Sequence, residues 1–399
     1  MKKVRYVYRK HIFIYFIVRI FSFLYTRIVY GYCSQAKYHM KKDEPIIVLS
    51  NHQTDVDPFC LFTCFTRPIF PIATDNIFAG KFRGRLFNRL GVISKKKGSM
   101  DLNTVMSMQK VLSNKGSLLL FLEGNRSFAE FQFYISDSIV KFLKNSKATI
   151  VLFNLKGGTG KAPRFKHKRR RGPFTGEIKK ILKYEEYSKM DDALLFSTIK
   201  DNLKVFDSES HNLYKSNKRG EYLERVFFVC PVCGKTETLY SKGAYLHCSN
   251  CGLKVEYSED LLLKSDNPDF KFSKMIEYWN YQKRFIKDML IYEDKVIFSD
   301  KNVKVRKTNP YEKKVNLFKG QILLTDKKLK YGKNSFDLSK IESASVVSGR
   351  NLTFTYDGNE YTVRGHKRFN ALKYIFMFNK LDTLMAKTKS DQYYNLEEN

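Results

Sequence analysis

The sequence has no uninterrupted apolar run of about 18 residues, the length a membrane-spanning helix requires. The nearest approach, HIFIYFIVRIFSFLYTRIVY at residues 11–30, is broken by Arg19 and Arg27 and follows the basic start MKKVRYVYRK. With 28% charged residues against 43% hydrophobic ones, a polytopic membrane protein is excluded. Small residues for signal cleavage are missing after Leu24, where Tyr25, Arg27 and Tyr30 stand instead, so a cleaved secretory leader is not expected. Acidic residues are scarce: 40 Asp and Glu face 72 Lys and Arg, a formal charge of +32. Such a field attracts polyanions, nucleic acid and anionic membrane alike. Cysteines are few, seven in all, and do not form the framework of a secreted disulfide scaffold. A reducing compartment is expected. There is no internal repeat and no low-complexity segment. Hydrophobic residues make up 43% of the chain, too many for a disordered one, and 399 residues suffice for two or three domains with cores.

What is present is ordered along the chain. Residues 1–35 read best as a helix lying in the membrane interface, its arginines reaching for headgroups. A helix packed on the next domain and a true span are the alternatives. From residue 36 to 185, short apolar runs alternate with helical stretches. IIVLS, PIFPIA, SLLLFLE and ATIVLFNL read as strands; DPFCLFTCF, GKFRGRLFNRL and DLNTVMSMQKVLS read as helices. Alternation at this spacing predicts an α/β domain with a mixed, largely parallel sheet. Ligands of such sheets gather where strands end and helices begin. Residues 186–226 look helical and polar and are read as a linker, so this region runs from 36 to 226.

One strand end is LSNHQTDVDPF at 49–59, which sets His52 five positions ahead of Asp57. In the bland reading His52 is a turn histidine and Asp57 an N-cap, with Pro58 at the first helical position. In the chemical reading His52 is a general base and Asp57 the carboxylate that fixes its tautomer. A second strand end, FLEGNRS at 121–127, releases Glu123, Gly124 and Arg126 together. Gly124 permits close backbone approach, and Arg126 offers a planar fork for phosphate. Glu123 follows a buried strand and needs a hydroxyl, amide or cation as partner, unless it is a solvated loop carboxylate.

At these residues the sequence resembles the glycerophospholipid acyltransferase family, which includes 1-acylglycerol-3-phosphate acyltransferases. That family's blocks read N-H-x-x-x-x-D, then G-x-I before a basic residue, then F-P-E-G-T-R-S, then a valine- and proline-rich strand. Here they stand as Asn51, His52 and Asp57; GVISKKK at 91–97; FLEGNRS at 121–127; and ATIVLFNLKGG at 148–158. The resemblance covers residues 30–185 and implies direct acyl transfer from a thioester to a lipid hydroxyl. It makes His52 and Asp57 the catalytic pair and gives acceptor binding to the third block, Glu123, Gly124, Asn125 and Arg126. Arg126 is the expected phosphate contact and Lys97 a second, with Asn51 bracing the loop and a backbone amide near Gly124 as oxyanion donor. Leu122, Asn125, the lysines at 95–97 and Leu152 depart from the family's usual residues, which bears on acceptor identity more than on the reaction.

CPVCG at 230–234 and CSNCG at 248–252 form two matching knuckles. Cys230, Cys233, Cys248 and Cys251 are expected to hold a structural Zn²⁺ with no open position, iron or a redox pair being the alternatives. His247 is read as a bystander. Residues 227–257 are thus a zinc ribbon, and 258–399 a linker helix with Trp279 and a β-rich domain closed by a helix. NLTFTYDGNEYTVRG signals a hairpin turning at Asp357-Gly358. Over residues 290–390 the pattern resembles a pleckstrin-homology-like barrel, which implies lipid or protein docking.

The expected function is transfer of a fatty acyl group, from acyl-CoA or acyl carrier protein, to a lysophospholipid or 1-acylglycerol-3-phosphate. The expected setting is the cytoplasmic face of an anionic membrane, peripheral or monotopic. The alternatives are a zinc-ribbon nucleic-acid-binding protein with an inactive acyltransferase-like half, and a membrane adaptor that recruits partners through its terminal barrel. Nucleic acid is the less favoured partner, because the densest basic run, KHKRRR at 166–171, lies outside the ribbon. Lipid headgroups account for that run equally well, as does a solvated loop.

Overall fold

A computed structural model describes residues 8–41, 43–74, 81–95, 102–130, 132, 135–166, 168–309 and 314–384. The chain divides into two compact units. The first comprises Met1–Ser127, Phe131–Lys161 and Gly172–Ser210; the second comprises Phe128–Glu130, Ala162–Arg171 and His211–Asn399.

The first unit opens with helix α1 (Tyr8–Tyr25) and a π-helical turn (Thr26–Tyr30). Strands β1 (Tyr32–Cys33), β2 (Ile46–Ser50), β3 (Ile69–Thr74), β4 (Ile93–Lys95), β5 (Ser117–Phe121), β6 (Thr149–Lys156) and β7 (Phe174–Leu182) follow. They form one sheet in the order β1-β7-β6-β2-β5-β3-β4. The run from β6 to β4 is parallel, while β7 is antiparallel to β6 and parallel to β1. This is the expected mixed, largely parallel sheet. Interleaved with the strands are α2 (Asp57–Cys64), α3 (Lys81–Arg89), α4 (Leu102–Ser113), α5 (Ser138–Ser146), the single turns α6 (Gly158–Lys161) and α7 (Tyr184–Tyr187), and α8 (Asp192–Asn202).

Central strand β2 explains its own composition. All five of its residues are buried, because helices cover both faces and a continuous apolar run replaces alternation. Ile47 and Leu49 share one face with Leu118, Leu120, Ile150 and Leu152. Helices α4, α5 and α8 cover that face through Met108, Leu143, Leu195 and Ile199. On the other face, Phe153 meets Phe65 with ring centroids 6.1 Å apart. The segment at 186–226 is therefore not simply a linker. Leu195 and Ile199, four residues apart on α8, are fully buried in the sheet's core, and residues from His211 onward pack within the second unit.

Helix α1 and the π-helical turn after it carry Phe13–Tyr30, the one segment among the described residues long and apolar enough to cross a membrane by length and composition. It packs on α2 through Tyr15, whose hydroxyl donates to Phe62 O at 3.3 Å. Phe13, Phe16, Ile17, Phe21 and Ile28 are each more than half exposed.

In the second unit, β8 (Leu239–Lys242), β9 (Tyr245–Cys248), β10 (Lys254–Tyr257) and β11 (Leu263–Lys264) form an antiparallel ribbon. Helix α9 (Met275–Asp288) follows. Then β12 (Phe298–Lys307), β13 (Val315–Leu324), β14 (Lys328–Tyr331), β15 (Asn334–Asp337), β16 (Ile341–Val347), β17 (Asn351–Tyr356) and β18 (Asn359–Arg364) form a seven-stranded antiparallel sheet followed by α10 (Leu372–Leu384). The β17–β18 hairpin turns at Asp357 and Gly358, both at positive φ (46° and 69°), as a two-residue turn of the primed type requires.

Strand β7 approaches its neighbours through Gly176. A Cβ there would run into the Tyr32 hydroxyl and lie 2.7 Å from the Phe153 ring. Both rings are buried and have nowhere to move, so Gly176→Ala should overpack the sheet by about 1–3 kcal/mol. The expected result is a urea midpoint shifted down for the first unit; an unchanged midpoint would show that the rings do give way.

Candidate active site

Parallel register creates the site. Ser50, the last residue of β2, is level with Phe121 of β5 on one side and Phe153 of β6 on the other. The residues that leave these three strands, 51–57, 122–127 and 157–161, therefore emerge together at the carboxyl edge of the sheet, where such folds place their ligands.

His52 and Asp57 meet there. The imidazole Nδ1 is 2.8 Å from Asp57 Oδ2. Asp57 is fully buried, and the His52 side chain is 20% exposed. The carboxylate also accepts the Gln53 amide at 2.6 Å, the Thr54 amide at 2.9 Å and the Thr54 hydroxyl. A carboxylate only accepts, so the imidazole Nδ1 carries the hydrogen, and in the neutral ring Nε2 keeps its lone pair. The ring plane is fixed by stacking on Phe121, with centroids 4.3 Å apart and planes 24° apart.

Asp57 is not the N-cap of α2. Val56 precedes the helix, and Asp57 is its first residue, followed by Pro58. Its carboxylate folds back onto the 52–54 turn, and its charge sits at the helix end where the macrodipole favours an anion.

The neighbouring block supports the same turn. Glu123 is buried, and its Oε1 accepts the His52 amide at 3.2 Å; it has the amide partner its position demands and is not a solvated loop carboxylate. The Ser127 amide donates to His52 O at 3.3 Å. Gly124 stands at φ 60°, but its amide donates to Phe121 O at 3.0 Å. The Gly124 N–H is thus engaged in a turn and is not a free oxyanion donor. Asn125 Oδ1 accepts the Arg126 amide at 3.2 Å. The Arg126 guanidinium, 24% exposed, lies 4.0 Å from Asp55 Oδ1 at the rim. Lys97 lies outside the described residues.

Asn51 faces the other way and ties the turn to β6. Its Nδ2 donates to Leu155 O at 2.9 Å, and its Oδ1 accepts the Leu155 amide at 2.8 Å.

Sequence reasoning missed Phe121, Gln53, Thr54 and Asp207. Phe121 was findable, since parallel register puts the ends of β2 and β5 level. Asp207 gave no signal, lying in the segment read as linker. It is buried in the first unit, and its carboxylate accepts the Gly157 amide at 2.7 Å and the Thr159 amide at 3.0 Å. Burial pushes its carboxyl above the ordinary carboxylate range, opposed by these donors.

The comparisons with known proteins fall on this geometry. Residues 33–156 match the Acyltransferase family model. The match spans His52, Asp57 and the Glu123–Arg126 block and ends at the last residue of β6. A solved structure of the 1-acyl-sn-glycerophosphate acyltransferase PlsC from Thermotoga maritima is similar to this chain at 14% identity and a TM-score of 0.40. That similarity covers 49% of this chain and 87% of that one. No curated protein matches the sequence.

The second unit holds a separate cluster. The sulfurs of Cys230, Cys233, Cys248 and Cys251 all lie within 4.8 Å of one another and form no disulfide. Cys230 and Cys251 are 3.5 Å apart, and Cys233 and Cys248 are 3.8 Å apart. Sulfurs about 2.3 Å from a tetrahedral zinc would stand roughly 3.8 Å apart, so the four fit such an ion. Gly234 and Gly252, at φ 67° and 73°, close the knuckles through amides that bond Cys230 O and Cys248 O. His247 is outside the cluster and stacks on Tyr240.

The basic run at 166–171 is only partly a solvated surface. Lys166 and Arg170 are buried in the second unit. Lys166 Nζ donates to Ser216 Oγ at 3.2 Å and to Lys218 O, and Arg170 donates to Arg219 O at 2.6 Å. Burial, with Arg170 close by, pushes the Lys166 ammonium down to about 8. Lys168, Arg169 and Arg171 remain exposed.

The Asn51 brace makes a direct prediction. Asn51→Ala leaves the buried Leu155 N–H and C=O without their side-chain partner, which should cost about 1–3 kcal/mol. Hydrogen exchange of the Leu155 amide should accelerate and the urea midpoint should fall; unchanged protection would remove the brace.

Proposed function

We propose that the first unit is an O-acyltransferase. It moves a fatty acyl group from a thioester donor, acyl-CoA or acyl carrier protein, to the hydroxyl of a lysophospholipid or 1-acylglycerol-3-phosphate. The observation that carries this reading is the 2.8 Å contact between His52 Nδ1 and the buried Asp57 carboxylate, inside a segment that matches the acyltransferase family model.

The chemistry follows from what the geometry leaves available. A glycerol hydroxyl is a weak nucleophile at neutral pH unless its proton is taken during attack. His52 Nε2 takes that proton as the oxygen adds to the thioester carbonyl. Asp57 stabilises the imidazolium that forms. When the tetrahedral intermediate collapses, the carbon–sulfur bond breaks and the imidazolium returns the proton to the leaving thiolate. No serine or cysteine need be acylated, because the acceptor supplies the nucleophile. Arg126, at the rim and 24% exposed, binds the acceptor's phosphate as a planar fork. The exposed apolar side of α1 seats the enzyme in an anionic membrane, peripherally or monotopically, at the cytoplasmic face. That placement agrees with seven free cysteines.

The four thiolates of the second unit hold a structural Zn²⁺, which all four saturate. The β12–β18 sheet and α10 serve as a docking module for lipid or protein.

The test is radiolabelled acyl transfer by the purified full chain, with and without a lysophosphatidate acceptor. His52→Ala should lose all but a few per cent of the wild-type rate while unfolding at the same temperature; retention of the rate would refute the general-base role. Arg126→Ala should raise the acceptor KM about tenfold, in line with loss of a charge-assisted contact, and an unchanged KM would remove its phosphate contact. If nucleic acid shifts in a gel at physiological salt and no acyl product forms, the nucleic-acid alternative takes its place. Metal analysis should find about one zinc per chain, set by the four-sulfur stoichiometry of such sites. Cys233→Ser should release it and lower the thermal midpoint; a metal-free wild type with the same midpoint would refute the zinc site.

A further inference from the structure

We infer that Asp207 is a positioning residue for the His52–Asp57 pair, acting through Gln53 and the β6–α6 turn. This rests on the acyl-transfer reading and adds to it a residue 154 positions from Gln53 and outside the family-matched segment.

The turn after β6, KGGTGK, looks like a loop built to cradle an anion with backbone amides. Its anion is internal. Asp207 Oδ1 accepts the Gly157 amide at 2.7 Å, and Oδ2 accepts the Thr159 and Gly160 amides at 3.0 and 3.4 Å. The fourth amide of the run, Gly158, donates to Gln53 Oε1 at 2.8 Å. Gln53 Nε2 in turn donates to both Asp207 oxygens at 3.3 Å. Four successive amides are thus divided between one carboxylate and one carboxamide. There is no slack between them: a Cβ on Gly158 would lie 2.6 Å from Gln53 Oε1 and 3.0 Å from Thr54 Cγ2.

Gln53 is the link to the chemistry. Its side chain is held by Asp207, while its own amide donates to Asp57 Oδ2 at 2.6 Å. The same Asp57 oxygen holds His52 Nδ1. Asp207 touches no reacting atom; it fixes the residue whose backbone helps fix the carboxylate that orients the base. All of these groups lie in the first unit. The separation in sequence is what a merely local turn would not need: a loop that must hold an imidazole to a fraction of an ångström gains from an anchor on a distant, packed segment.

The test uses the full chain with Asp207→Asn, Gln53→Ala and the double variant. Steady-state acyl transfer is measured against acceptor concentration, and thermal unfolding is followed to establish that each variant folds. Asp207→Asn should lower kcat by about 10- to 100-fold, the scale of a small misplacement of catalytic groups, with acceptor KM unchanged. Gln53→Ala, which leaves the Asp207–amide contacts in place, should lower kcat similarly. The double variant should be no slower than the slower single one, because both act along one route. Folded variants with wild-type kcat, or losses that multiply in the double variant, would overturn the inference. His52→Ala is assayed alongside. If it too retains the wild-type rate, the acyl-transfer reading falls and this inference with it. If it is inactive while both single variants turn over normally, only the role of Asp207 falls.

Discussion

The carboxylate of Asp57, buried completely at the first residue of α2, is the constraint around which the candidate active-site loop is folded. A buried charge without partners costs several kcal/mol, and here the sequence NHQTDVD supplies them within five residues. Two backbone amides, the Thr54 hydroxyl and the His52 imidazole all converge on it. The demand of that one group for donors bends residues 52–54 into a turn. It also sets the imidazole tautomer, leaving the far nitrogen with the lone pair that the proposed general base uses. Local electrostatics and the proposed catalytic role therefore rest on the same set of contacts.

The sheet provides what a turn alone cannot. Because β2 sits between β5 and β6 in parallel register, three strand ends deliver their residues to one edge. Phe121 stacks under the imidazole, Glu123 takes its backbone amide, and Asn51 bonds Leu155 on the opposite side. The positive charge of the chain is used differently in the second unit. There several basic side chains are buried against carbonyls and carboxylates. Arg225 donates to Phe165 O and Lys367 O, Lys373 pairs with Glu237 and Asp300, and Lys380 donates to Ile286 O and Lys287 O near the end of α9. A net charge of +32 is thus partly internal to the fold and overstates the field presented to a partner.

Much of this was legible in the amino acids. Apolar runs such as IIVLS announce two-sided burial, and their alternation with helical segments gives the parallel sheet. The paired C-x-x-C knuckles give a four-sulfur cluster. Local pattern also gave the Asp357-Gly358 hairpin and the closing helix. What escaped was non-local. Nothing in the neighbourhood of Asp207 signals that its carboxylate receives amides some fifty residues earlier. The capping role read for Asp57 failed because Asp-Pro at a helix start is the usual signature of a cap, yet here the side chain finds better donors behind it than ahead. The oxyanion donor expected near Gly124 is not the Gly124 amide itself: glycine's permissive φ is present, but its N–H is taken by Phe121 O.

The most direct measurement is the nitrogen-15 spectrum of the histidine side chains in the resting enzyme, with the His52 resonances identified by their loss in the His52→Ala variant. The account predicts a neutral His52 with its proton on Nδ1, held by Asp57, and a bare Nε2 ready to accept one. The opposite tautomer, with Nε2 protonated and no hydrogen toward Asp57, would contradict it.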